Sequence, residues 1–202
     1  FGGLMAMRKK ECHIAPIHLI DETTGIYNIS SVQKMFPTGG MSLIKGVGRL
    51  QGLMVKKGNP KNILDFADLT REDVVFVNRQ RGAGTRQLLD FELKKRNIPT
   101  ESIDGYHREM TTHMAVAVAV QSEGTDVGLG IYSAAETMGL DFIPVGYEAY
   151  DFLVRNESLE EPGVKHFIEV LQSEAFHNKL KEIGGYILEQ SGDIIQIGAQ
   201  DD

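Results

Sequence analysis

An α/β fold is what this sequence predicts, on three observations. Short β-branched and aromatic runs alternate with stretches of helical periodicity. Glycine and proline signals punctuate the junctions, and neither an internal repeat nor a low-complexity tract interrupts the pattern. The 202 residues, 42% hydrophobic and 24% charged, are enough to bury a core and are ordinary for a folded chain.

Taken in order, Leu4 to Lys10 reads as the end of a helix and HIAPIHLI (13–20) as a strand running into the turn signal DETTG. Ile29 to Phe36 is a short helix stopped by Pro37 and the Gly39-Gly40 pair. The run MSLIKGVGRLQGLMVKKG (41–58) reads as two extended segments broken at Gly46 and Gly48, with a turn at Asn59-Pro60. Asp65 to Thr70 is a helical turn, and VVFVN (74–78) is a buried strand. TRQLLDFELKKRN is a helix, because Leu88, Leu89 and Leu93 share a face and Asn97 with Pro99 ends it. THMAVAVAVQSEG (112–124) alternates like a strand, but its alanine content, the Thr111-Thr112 start and Gly124 as a stop favour a buried helix. DVGLGI (126–131) is a strand followed by a helix to Met138, and 141–155 is extended. Pro162 opens a helix to about Ser173, and another runs to Ile183.

The charge balance narrows the partners. With 21 basic and 28 acidic residues the net charge is -7, which argues against direct nucleic-acid contact, since phosphate neutralisation needs clustered Lys and Arg. A small anion is not excluded, because a few backbone N–H groups and one Arg can hold it. No apolar run approaches the roughly twenty residues of a membrane span, and the N-terminus lacks the charged-then-apolar pattern of a signal peptide. Cys12 is the single cysteine, so an internal disulfide and a cysteine-based zinc site are out; it reads as a buried small residue. The absence of disulfides suits the cytoplasm, the expected location.

The sharpest local feature is FVNRQRGAGTRQLLD (76–90). A buried strand delivers the chain into Arg81-Gly82-Ala83-Gly84-Thr85, where a helix starts. Glycines allow positive φ and close approach to the backbone, and a helix start offers amide donors and the positive end of the dipole. Thr85 can cap the helix or donate its hydroxyl, while Arg79, Arg81 and Arg86 add fixed charge suited to an oxyanion. The bland alternative is an ordinary strand-to-helix turn. It is neither a Walker loop nor GxGxxG, since Gln87 stands at the third glycine position.

Two weaker candidates follow. In EMTTHMAVA (109–117), Thr112 and His113 open a helix, and plain capping is the competing reading. In IHLIDETTGIYN (17–28), His18 sits near a strand's C-terminal end, although a lone His in an apolar run is more often a core residue. His13, His18, Glu109 and His113 show no metal-ligand spacing, and no nucleophile elbow or marked acid–base pair appears.

The runs QGLMVKKGNP (51–60), FVNRQRGAGTRQLLD (76–90) and THMAVAVAVQSEGTDVGLGIYSAAETMGLDFIPVGYEAYDF (112–152) resemble one family over nearly the whole chain. It is the periplasmic-binding-protein-like (type II) domain found attached to molybdopterin molybdenumtransferase-type proteins or to helix-turn-helix regulators. More distantly the chain is similar to molybdate- and tungstate-binding proteins and to LysR-type effector domains. The resemblance implies two α/β lobes joined by two extended hinge crossings, with lobe one at 1–48 plus 149–202 and lobe two at 49–148. It implies a small oxyanion, molybdate or tungstate first, held in an interlobe cleft; no covalent cofactor is expected, and no metal site on the ligand spacing above. Arg81, Gly82, Gly84 and Thr85 match the family's motif in the central lobe, and Thr112 with His113 its second contact. His18 and the Phe1-Gly2-Gly3 turn match the other lobe. The family's first strand and helix are missing from this reading, so lobe one is expected to be truncated at its N-terminus.

The expected function is therefore a non-catalytic binding or sensor domain, part of a molybdenum-cofactor biosynthesis protein, with a transferase or helix-turn-helix module covalently linked in the parent chain. The alternatives are the effector domain of a molybdate-responsive regulator and the solute receptor of an oxyanion transporter. Ligand contacts made in one conformation only would shift an open–closed equilibrium. A homodimer is among the expected assemblies.

Overall fold

A computed structural model of the chain describes residues 2–199. Its elements are α1 (Gly2–Arg8), β1 (Ile14–Ile17), α2 (Ile29–Met35), β2 (Met41–Val55), β3 (Phe76–Arg79), α3 (Gly84–Lys95), β4 (Glu109–Met110) and α4 (His113–Gln121). There follow β5 (Val127–Ile131), α5 (Tyr132–Thr137), β6 (Asp141–Arg155), α6 (Pro162–Gln172), α7 (Glu174–Ile183), β7 (Tyr186–Ile187) and β8 (Ile194–Ile197). The chain divides into two compact units, unit 1 being Phe1–Arg49 with Glu148–Asp202 and unit 2 Leu50–Tyr147. It leaves unit 1 within β2 and returns within β6.

In unit 1, β6 pairs antiparallel with β1, Ile14 opposite Val154 through Ile17 opposite Asp151. On its other side β6 neighbours β2, whose far edge takes β8 at Met41–Ile44 and β7 at Gly48–Arg49. Leu4, Met7, Ala15, Ile17, Val32 and Leu43 form one core cluster, and Ile44, Val154, Val164 and Leu171 form another. Cys12, expected as a buried small residue, is partly buried and packs at the margin of the first cluster.

In unit 2, β2 pairs antiparallel with β5, and β5, β3 and β4 run parallel. The ambiguous alanine-valine run is helix α4, and burial shows why. Val116, Ala117 and Val120 are inaccessible whereas Val118 is 48% exposed, a period that fits a helix and not the two-residue repeat of a strand. α4 lies against β5, where the lack of a side chain on Gly128 admits Val116. In α3, Leu88, Leu89 and Leu93 are buried as their spacing predicts, and Asn97 at φ 55° turns the chain away after the helix end.

Two expectations need correction. β2 is one unbroken 15-residue strand, not two segments broken at Gly46 and Gly48. The glycines answer close neighbours instead: Gly46 lies under the Tyr150 carbonyl and the Phe152 ring, and Gly48 under Ile187. The terminal region is also more than helices, because Gly184 and Gly185, both at φ 78°, turn the chain from α7 into β7. β8 escapes sequence patterning because it is four residues long and Ile194 and Ile195 are both exposed.

These contacts predict opposite effects for two glycines. Gly46→Ala drives a methyl into a backbone carbonyl and should cost about 2 kcal/mol, read as a lower urea midpoint at unchanged slope. Gly163→Ala, in α6 with open space around it, should raise stability by up to about 1 kcal/mol.

Candidate functional site

Parallel pairing sets up the chemistry of unit 2. Asn78 and Arg79 of β3 pair with Glu109 and Met110 of β4, while Phe76 and Val77 pair with Val127 and Gly128 of β5. The carboxyl ends of the three strands therefore finish on one edge, and α3, α4 and α5 begin after short connections from that edge. Open α/β sheets place ligands there, because amide donors and helix dipoles converge.

The loop from β3 to α3 is tied down by Gln80 N–H, which donates to Met110 O at 3.0 Å, and by Ala83 N–H, which donates to Gln80 O at 3.2 Å. Gly82, at φ 85° with open space around it, makes the turn. Ala83 is the extended N-cap and has no side-chain acceptor, so α3 starts without a side-chain cap. Gly84 and Thr85 are buried in its first turn. Arg81 is 78% exposed, with Nε 3.8 Å from Glu109 Oε1.

Arg86 has the opposite environment. Its side chain is 6% exposed, its Nε donates to both oxygens of Asp90 at 3.1 Å, and its Nη1 donates to Glu109 Oε1 at 3.1 Å. The guanidinium lies 4.2 Å from the centre of the Tyr106 ring, and the Tyr106 hydroxyl donates to Asp90 at 2.6 Å. Burial alone would lower the Arg86 pKa; the contacts with Tyr106 and Asp90 outweigh it and raise it. The charge that the sequence reading credited to a ligand is thus compensated internally. Arg79, the third arginine, donates from Nη2 to Thr111 O at 3.1 Å.

At the start of α4, Thr112 is the N-cap and its Oγ1 accepts from Ala115 N–H at 3.0 Å, so capping is what its hydroxyl does here. His113 is the first helical residue, half-buried, and the missing side chain of Gly130 on β5 makes way for Met54, with His113 Nδ1 next to it. Arg81, Gly82, Gly84, Thr85, Thr112 and His113 therefore all belong to the strand-to-helix junctions of unit 2.

In unit 1, Gly2 and Gly3 are the opening residues of α1 rather than a turn, and Gly3 is overlain by the Pro16 carbonyl. Phe1 lies outside the described residues. His18 follows β1 and is far from an ordinary core histidine: its ring stacks on Tyr150 with centroids 5.2 Å apart, and Nδ1 is 3.4 Å from Glu148 Oε2. Glu148 has no exposed side-chain surface and is also paired with Arg49, whose guanidinium lies 4.2 Å from the Tyr150 ring centre. Burial pushes against the Glu148 charge, but His18 and Arg49 prevail and hold its carboxyl below the usual range. Burial and the neighbouring Glu148 charge raise the Tyr27 hydroxyl above the ordinary phenol range.

Sequence reasoning weighs Glu109 only as a metal ligand, and misses its pairing with Arg86 together with Glu148 and Arg49. A signal for that pairing is present: Arg86, Leu89 and Leu93 fall at i, i+3 and i+7 on the buried face of α3, and a buried guanidinium demands a carboxylate. Nothing comparable marked Arg49 or Glu148. Among the described residues no group of three or more His, Cys, Asp or Glu is placed to hold a metal ion, and no helix is long and apolar enough to cross a membrane.

Against known families, the PBP superfamily domain matches residues 1–172. The chain is 38% identical over 196 residues to YvgK of Bacillus subtilis (strain 168), an uncharacterised protein; the match covers 96% of this chain and 62% of that protein's length. Over 113 residues it is 36% identical to an uncharacterised Clostridium pasteurianum protein encoded in the 5′ region of a 2Fe-2S ferredoxin gene, covering 54% of this chain and 96% of that one. Among solved structures it is similar in fold to a protein described as a phosphate ABC transporter substrate-binding protein of Clostridium perfringens, with bound phosphate. There the TM-score is 0.62 at 14% identity, covering 93% of this chain and 83% of that one. An ABC-type phosphate transport receptor of Vibrio cholerae gives a TM-score of 0.56 at 14% identity, covering 92% and 84%.

The buried group in unit 1 sets a measurable pH dependence. Glu148 is depressed in the folded state, so its contribution to stability is present above its unfolded value near 4.5 and is lost as pH falls through the folded one. Glu148→Gln should flatten the acid limb of a stability-versus-pH curve. At neutral pH it should cost about 3 kcal/mol, because Arg49 is left buried without its counter-charge.

Proposed function

Because the chain belongs to the PBP superfamily, we propose that it is a non-catalytic domain that binds a small anion, and that the start of α3 supplies the first donors to it. The observation that carries this is the contrast among three helix starts on one sheet edge, of which α3 and the six-residue α5 lack a side-chain cap and α3 alone carries the glycine turn and Arg81. α4 is capped by its own Thr112, whereas α3 follows a glycine turn, has an alanine at its N-cap and stands beside the exposed Arg81. An anion is the natural complement of such a start. The phosphate held by the Clostridium perfringens neighbour supports an oxyanion over an uncharged solute.

Molybdate and tungstate are the ligands that the family resemblance puts first, with sulfate and phosphate as the nearest comparisons. In this reading the domain senses or delivers the oxyanion for a covalently linked molybdenumtransferase or helix-turn-helix module. The chain spans 62% of the length of the Bacillus subtilis relative, so proteins of this kind have room for such a module. A transporter receptor is the second reading, favoured by the described roles of the two phosphate-linked neighbours. The complete reading frame separates the two: an attached module supports the first, a leader peptide the second.

Thermal unfolding tests the binding. At least one of the four oxyanions should raise the melting temperature by several degrees at a hundredfold excess over Kd, where binding contributes about 2.7 kcal/mol. Arg81→Ala should abolish that rise. A melting curve indifferent to all four anions would end the proposal.

A further inference from the structure

The same loop holds a second anion of its own. Glu109, the first residue of β4, accepts from the backbone N–H of Arg81 at 3.4 Å through Oε2. Its Oε1 accepts from Arg86 Nη1 at 3.1 Å and lies 3.8 Å from Arg81 Nε. The contact with Arg86 is the shorter one, and Arg86 is buried and held from the other side by Asp90, so it fixes the carboxylate in place. The contacts with Arg81 are longer, on a residue whose side chain is 78% exposed, and are the easier ones to exchange. Glu109 itself keeps 32% of its side chain exposed, so it borders solvent where a ligand would arrive.

We propose that Glu109 sets the affinity of the anion site by competing with the ligand for Arg81, so that binding exchanges an internal carboxylate for an external oxyanion. This rests on the reading of the α3 start as an anion site. An ionised carboxylate is an acceptor only, and it repels any second anion brought within a few ångströms. Glutamine keeps the shape and one acceptor oxygen for Arg86 while removing the charge. Glu109→Gln therefore strengthens oxyanion binding by roughly tenfold, and this gain requires Arg81.

Titration calorimetry with sodium molybdate and with inorganic phosphate, at one ionic strength, tests this on the wild type, Glu109→Gln, Arg81→Ala and the double variant. The expected result is tighter binding by Glu109→Gln than by the wild type, and no recovery of binding when Glu109→Gln is added to Arg81→Ala. Equal or weaker binding by folded Glu109→Gln overturns the proposal while leaving the anion site standing. So does a double variant that binds as tightly as Glu109→Gln, since the effect would then be a general field and not competition for Arg81. If Glu109→Gln does not fold, Glu109→Asp carries the test. It keeps the charge but draws it back by one methylene from both arginines, of which Arg86 retains Asp90, and a smaller gain is expected, with no gain counting against the proposal. If neither anion, nor tungstate or sulfate in the same titration, binds wild type or variant, the anion-site reading itself fails and the proposal falls with it.

Discussion

Arg86 is buried, charged and enclosed by Asp90, Glu109 and the face of Tyr106, and the opening of α3 is located by that arrangement. A guanidinium out of water is costly unless its donors are met, and here Asp90 of α3 and Glu109 of β4 accept from it while Tyr106, from the chain before β4, covers it with its ring. Their agreement holds the first turn of α3 against the carboxyl ends of β3 and β4. Lysine could not replace it, since one ammonium cannot present planar donors to two carboxylates and stack on a ring. The glycine turn at Gly82 is free to follow its own path because the residues on either side of it are fixed.

Unit 1 solves a similar problem with the signs reversed. There the buried groups are carboxylates on β6, Glu148 and Asp151, and the cations and amides come to them. Asp151 accepts from Lys45 Nζ at 2.9 Å and from Asn28 Nδ2 at 2.8 Å. Asn28 is held at φ 70°, and its Oδ1 takes the Leu19 N–H at 2.8 Å, which closes the loop that runs from His18 to Tyr27. The left-handed backbone at Asn28 is a local cost that this largely buried network offsets. In both units, then, polar groups that look available in the sequence are already occupied in the fold.

That occupation is also where the sequence ceased to be readable. The α/β alternation, α3, α4 and the extended run 141–155 were all legible, because periodicity, capping residues and glycine stops act within a few residues of one another. The strand β2 was misread because a glycine facing a neighbour's carbonyl looks, in one dimension, like a glycine breaking a strand. β7 and β8 were invisible because two- and four-residue strands with exposed isoleucines have no pattern to find. At the candidate site, the glycines and Thr85 stood out from their spacing, whereas Glu109 lies 23 residues from Arg86 and entered only through sheet pairing. Local order alone puts His18 beside the core histidines; its carboxylate partner stands on a strand more than a hundred residues later, beyond the reach of any local pattern.

The nesting of one unit inside the other has a consequence for how the chain emerges from the ribosome. Unit 2 is a single continuous stretch, Leu50–Tyr147, while unit 1 is made of two pieces on either side of it. During synthesis residues 1–49 wait without β6, the strand that joins β1 to β2. The inner unit can complete its sheet first, since all its strands have been made once residue 147 is out. The outer unit closes last, over long sequence separations, and that pairing is the slow step to expect in refolding. Nascent chains stalled before residue 148 would leave Leu4, Met7, Ile17 and Leu43 lacking their cover from Leu153, an apolar surface of the kind that chaperones recognise.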